Sequence, residues 1–130
     1  MRPDRAKLAV QAAQPESPPA DIKETAKIGA IAAMELNFST LKHDAEVRVS
    51  AGKATGIKLS PFVFAERAWN IISTVITSDE VSSSNHVRDE AIKKIKTFIT
   101  DAERTDKGLG EAVMAEVLRQ DRKLHIELSA

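Results

Sequence analysis

The stretch SPFVFAERAWNIISTVIT, Ser60 to Thr77, constrains the fold more than any other part of the chain. Ser60 is a good N-cap, because its hydroxyl can accept a hydrogen bond from a first-turn amide that has no partner within the helix. Pro61 suits the first helical position, where no amide donor is needed. Leu59 before the cap and Phe64 inside the helix have the spacing of a hydrophobic staple. At about 100° per residue, Ile71, Phe64, Val75, Ala68, Ile72, Ala65, Ile76, Trp69 and Phe62 occupy one half of the helix. Ser73, Glu66, Thr77, Asn70, Thr74 and Arg67 fill the other half, with Val63 the one apolar residue among them. That apolar arc covers about 180°, against about 100° for an ordinary surface helix. Such a helix must be covered from two sides.

Helical periodicity organises the rest of the chain. Asp21 opens a long segment in which DIKE resembles a capping box, and Ile31, Met34, Phe38, Leu41 and Ala45 wind along one face. A second face carries Ile22, Ala26, Gly29, Ala33 and Leu36, mostly small residues that allow another helix to come close. One helix from Asp21 to about Val49 is the simplest reading, with EVRV at its end also compatible with extended backbone. AGKATG, Ala51–Gly56, is expected to break it. SDEVSSSN reads as a polar connection to a third helix from about His86 to Thr105, whose outer face offers Asp89–Lys93 and Glu90–Lys94 pairs. Gly108 is a candidate C-cap for it. A last helix spans about Gly110 to Leu128, although LHIEL alternates and is also compatible with a short strand. Residues 1–20, with Pro15, Pro18 and Pro19, read as a disordered or loosely helical tail. The expected fold is all-α: a small bundle of about four helices, forming a single domain over 21–130.

Composition then excludes several chemistries. The 19 basic and 19 acidic side chains cancel, so no global field draws the protein to nucleic acid or anionic lipid. With no cysteine, disulfides, thiolate metal sites and cysteine nucleophiles are all ruled out. The longest apolar run, IGAIAAM at Ile28–Met34, is far short of the roughly 20 residues of a membrane-spanning helix. With no export signal in LAVQAA near the start, a cytoplasmic protein is expected.

No motif commits the chain to catalysis. GKATG at Gly52–Gly56 lacks the glycine and the preceding strand of a phosphate loop. His43, Asp44 and Glu46 cluster without metal-ligand spacing. Asp121 and His125, four apart, form the strongest polar pair, and a hydrolase using them is the weaker of two alternatives; no nucleophile elbow accompanies them. A DNA-binding accessory protein or transcriptional regulator is the other, set against the mixed signs around Lys93, Lys94 and Lys96. Catalytic residues, cofactor and metal are all expected to be none. The expected function is a non-catalytic regulator or adaptor, of antiactivator or chaperone type, that binds another protein through an apolar helical face and forms a homodimer. Phe62 and Trp69, within about 20° of each other at one edge of the arc, anchor that face, with Ile72, Ile76, Phe38 and Leu41. Phe64, tied to Leu59, belongs to the core.

Overall fold

The computed structural model describes residues 29–130. Among them are six helices and no strand: α1 (Ala30–Thr55), α2 (Pro61–Ile76), α3 (Asp79–Ser82), α4 (Asn85–Thr105), α5 (Leu109–Gln120) and α6 (Arg122–Ser129). The described residues are therefore all-α, with six helices among them where about four were expected over 21–130. The tail over 1–20 and the capping box at Asp21–Glu24 lie outside the described residues.

α1 packs on α2 and α4, and α5 packs on the same two helices, so the four longer helices follow the cyclic order α1–α2–α5–α4 around one interior. α3 is a single turn between α2 and α4, and α6 lies against α5 and α4. Three phenylalanines from three helices meet at the centre. Phe98 of α4 stacks on Phe38 of α1 with ring centroids 3.9 Å apart, and on Phe64 of α2 at 5.9 Å. Phe38 and Phe98 have no aromatic neighbour in the sequence; packing brings them together because each sits on the buried face of its own helix.

The caps explain where the elements begin and end. Ser60 accepts from the Val63 amide at 3.3 Å and Pro61 opens α2, as the sequence predicts. α1 does not run unbroken from Asp21, because Gly29 takes φ 100° and ψ 173° at its start. The Glu80 carboxylate, from α3, caps that start by accepting from the Ala30 amide at 2.6 Å. A Cβ on Gly29 would stand 2.8 Å from Glu80 Oε2, so both the positive φ and the cap favour glycine there.

α1 also ends later than expected. EVRV and Gly52 are helical, and the left-handed Gly56 closes the helix by donating its amide to the Gly52 carbonyl at 2.8 Å. The polar SDEVSSSN connection folds into α3 because Ser78 caps it and Val81 is drawn into the core. Gly108 begins α5 and does not end α4, which stops at an extended Asp106. The last stretch divides at Asp121, whose carboxylate serves better as an N-cap than in a helix interior: it accepts from the Leu124 amide at 3.1 Å. LHIEL is helical, with Leu124 and Leu128 buried one turn apart.

Side-chain ties hold the smaller elements in place. Arg88 of α4 grips the Glu127 carboxylate of α6 through two nitrogens, at 3.1 and 2.5 Å. Glu103 of α4 accepts from the amides of Gly108, Gly110 and Glu111, completing the first turn of α5. The expected Glu90–Lys94 pair is replaced by a bond across helices, Lys94 to Glu35 of α1 at 3.2 Å. No described helix is long and apolar enough to cross a membrane.

Candidate docking groove

The last turns of α1 and the first turns of α2 are joined by the Gly56–Ser60 connection, and between them lies a groove of about 490 Å³. That is within the range of about 300–1,000 Å³ usual for binding clefts. Leu41, Ala45 and Phe64, all buried, lie at its inner side, while Ile57, Leu59 and Val63 are also among its lining residues. Ile57 is 74% exposed and Val63 44%. Phe62, 66% exposed, stands beside Val63 on the first turn of α2, about 100° round the helix. It does not line the groove: Val63, Arg67 and Phe64, which do, face a side of α2 centred about 150° round the helix from Phe62.

Gly52 makes this geometry possible. An ideal Cβ there would come within 2.4 Å of the Ile57 carbonyl oxygen, so the connection passes closer to α1 than any side chain allows. Ile57 and Lys58 are thereby held against the end of α1 while their side chains remain exposed.

The charges of the lining residues are uneven. Arg48, Lys58 and Arg67 contribute three cations against one carboxylate, Asp44. Asp44 Oδ2 accepts from Arg48 Nε at 2.9 Å and from an Arg67 guanidinium nitrogen at 3.4 Å, so a single carboxylate bridges both guanidiniums. Lys58 has no ion pair among the described residues. The N-terminal end of α2 adds partial positive charge on the same side.

The residues expected at an interface are distributed differently. Phe38, Ile72 and Ile76 are buried in the interior, where the chain's own helices cover them, and Leu41 is buried at the inner side of the groove. Trp69 is half-buried against the core, lining a shallow depression with Glu66, Asn70, Glu116 and Arg119. Of the six, Phe62 alone is exposed. The wide apolar arc of α2 is explained by its position, since α1, α4 and α5 all pack on it. Ile57 and Lys58 were not singled out because GIKLS alternates apolar and polar residues like a short extended connection before the Ser60 cap, with nothing local to mark a groove. Val63, the apolar residue on the polar half of α2, was the available signal.

Other polar clusters have local roles. The Asp121 carboxylate caps α6, and the bond from residue 125 back to residue 121 is a backbone one, from the His125 amide to the Asp121 carbonyl at 3.0 Å. His43 is exposed, and Asp44 beside it pairs with the two arginines. GKATG is the final turn of α1 and its cap. Glu116, buried on α5, was not foreseen; Arg119 grips it at 2.7 Å and Gln120 at 2.8 Å. Those hydrogen bonds, Arg119's first, hold its carboxyl below the usual glutamate range. Glu127 is lowered likewise by its bond from Arg88, and Glu103 by backbone amides, that of Gly108 foremost. Among the described residues no group of three or more His, Asp or Glu side chains is placed to hold a metal ion.

No protein-family model matches the chain, and neither the curated proteins nor the solved structures yield a match to it.

Proposed function

We propose that this is a small, non-catalytic regulatory or adaptor protein that binds another protein at the groove between α1 and α2. The observation that carries the reading is that Ile57 and Val63, two exposed apolar side chains, line one cleft together with the buried Leu41, Ala45 and Phe64. Apolar anchors around a cleft, bordered by charged residues, match the composition of an interface centre with a polar rim. Ile57 and Val63 leave part of the apolar lining exposed to solvent, which favours a macromolecular partner over a small enclosed ligand. Binding there would act by occlusion, covering an apolar surface of the target.

Duplex DNA is the less favoured partner, because its binding draws on neutralising a row of phosphates, and this cleft has three cations, two of them already paired with Asp44. Hydrolysis through Asp121 and His125 is also disfavoured, since that carboxylate is engaged at a helix start. Self-association has its own candidate surface, the back of α1, where exposed Leu36 and Val47 stand eleven residues apart on one side of the helix.

The test is the double variant Ile57→Ala, Val63→Ala. Because both residues are on the surface, stability should stay within about 0.5 kcal/mol per site and helicity should be unchanged. Partners recovered from the native organism by the wild type should be lost. Equal recovery by the folded variant would refute the reading.

A further inference from the structure

We propose that the groove takes an acidic, apolar segment of the partner protein. A large apolar side chain would seat against Leu41, Ala45 and Phe64, and flanking Asp or Glu carboxylates would meet Lys58, Arg48 and Arg67. This deepens the binding-protein reading and rests on it.

The charge balance supplies the argument. The chain as a whole is neutral, with 19 residues of each sign, yet this cleft gathers three cations around one carboxylate. Asp44 offsets one of them and leaves a net charge of 3 − 1 = +2, which favours anionic groups beside the apolar anchor, whereas a basic segment would meet like charge, which works against binding. Asp44 demonstrates the required geometry within the molecule, since one carboxylate already spans Arg48 and Arg67 at hydrogen-bonding distance. Planar guanidiniums suit carboxylates through paired donors, and the exposed Lys58 adds a further positive charge at the Ile57 end. The apolar lining sets the depth of the site and the cations set its sign, so specificity comes from both together.

The experiment uses the full chain, immobilised and panned against a displayed library of random 12-residue peptides at low salt. Enriched peptides are synthesised and measured against the wild type, Lys58→Glu, Arg67→Glu, Val63→Glu and a remote control, Arg104→Glu. The inference expects Asp or Glu beside a large apolar residue in the enriched set. Lys58→Glu and Arg67→Glu should each weaken binding by about three- to tenfold, Val63→Glu should abolish it, and Arg104→Glu should change it by less than about twofold. Neutral or basic peptides that lose binding in Val63→Glu but not in the charge variants would overturn the acidic partner while leaving a binding groove. Binding untouched by Val63→Glu would overturn the groove reading itself. Failure to enrich any peptide overturns the inference of a linear acidic segment. Two further outcomes also overturn it: a dimer in sedimentation that Val63→Glu dissociates, and a cross-link in the monomer from Lys7 or Lys23 to Lys58. The first assigns the groove to a second copy, and the second assigns it to the chain's own first 28 residues.

Discussion

Gly52→Ala sets two physical arguments against each other. Gly52 lies inside α1, where replacing glycine by alanine should stabilise a helix by about 1 kcal/mol through reduced backbone entropy in the unfolded chain and better propensity. The connection that shapes the groove opposes this. The new Cβ would sit 2.4 Å from the Ile57 oxygen, whereas ordinary van der Waals contact begins at 3.4 Å, so the connection must retreat by 3.4 − 2.4 = 1.0 Å. Overpacking of that kind costs about 1–3 kcal/mol. Taking about 2 kcal/mol for the clash and subtracting the propensity gain leaves a net loss of about 1 kcal/mol, a fall in Tm of about 4 °C. Urea unfolding gives the free energy, and amide chemical shifts at Ile57–Leu59 should move while those of α4 remain in place. The exposed Ala54→Gly, on the same turn, is the reference and should cost about 1 kcal/mol by propensity alone. A Gly52→Ala protein stabilised by about 1 kcal/mol, with the Ile57–Leu59 shifts unchanged, would refute the close approach and the account of how the groove is built.

Two further variants probe the core and the acid limit. Phe98→Ala removes the ring stacked between Phe38 and Phe64 and should cost about 3–5 kcal/mol in urea unfolding, in contrast to exposed Phe62→Ala, which should change stability by less than about 0.5 kcal/mol. Similar costs for the two would contradict the assignment of one ring to the core and the other to the surface. Glu103→Gln should lower Tm at pH 7, because an amide is a weaker acceptor for the Gly108, Gly110 and Glu111 amides. Its folded carboxyl titrates below the usual glutamate value near 4.5. The stabilisation is therefore present above about pH 4.5 and lost as pH falls through the folded value, so the wild-type and variant Tm curves should converge in acid. Curves that stay parallel down to pH 3 would remove Glu103 from that role.

What was legible in the sequence followed from local chemistry. α2 was readable because Ser60, Pro61 and the apolar wheel all act within a few residues, and α4 because Ala91, Ile95, Phe98 and Ala102 repeat at helical spacing. Features made by contacts between distant segments were not. The cap on α1 joins Ala30 to Glu80, 50 residues away, and no local pattern announces it. α3 depends on the burial of one valine in a polar run, and Asp121 looked like a helix residue paired with His125 until its carboxylate was seen capping α6. The width of the α2 arc suggested a partner covering, but α1, α4 and α5 together provide it, leaving the exposed apolar residues Phe62 and Val63 at the helix start. The groove was hidden most completely, because it depends on a glycine that reads as a helix breaker and acts within the helix to admit the Ile57 backbone.

Hydrogen exchange on the full chain, with and without a partner that the wild type recovers and the Ile57→Ala, Val63→Ala variant does not, tests docking most directly. The account predicts slowed exchange centred on Ile57–Phe64 and the facing end of α1, Leu41–Thr55, with α4 and α6 unchanged. Protection confined to the back of α1 around Leu36, or to the α5 surface beside Trp69, with none at Ile57–Phe64, would contradict it.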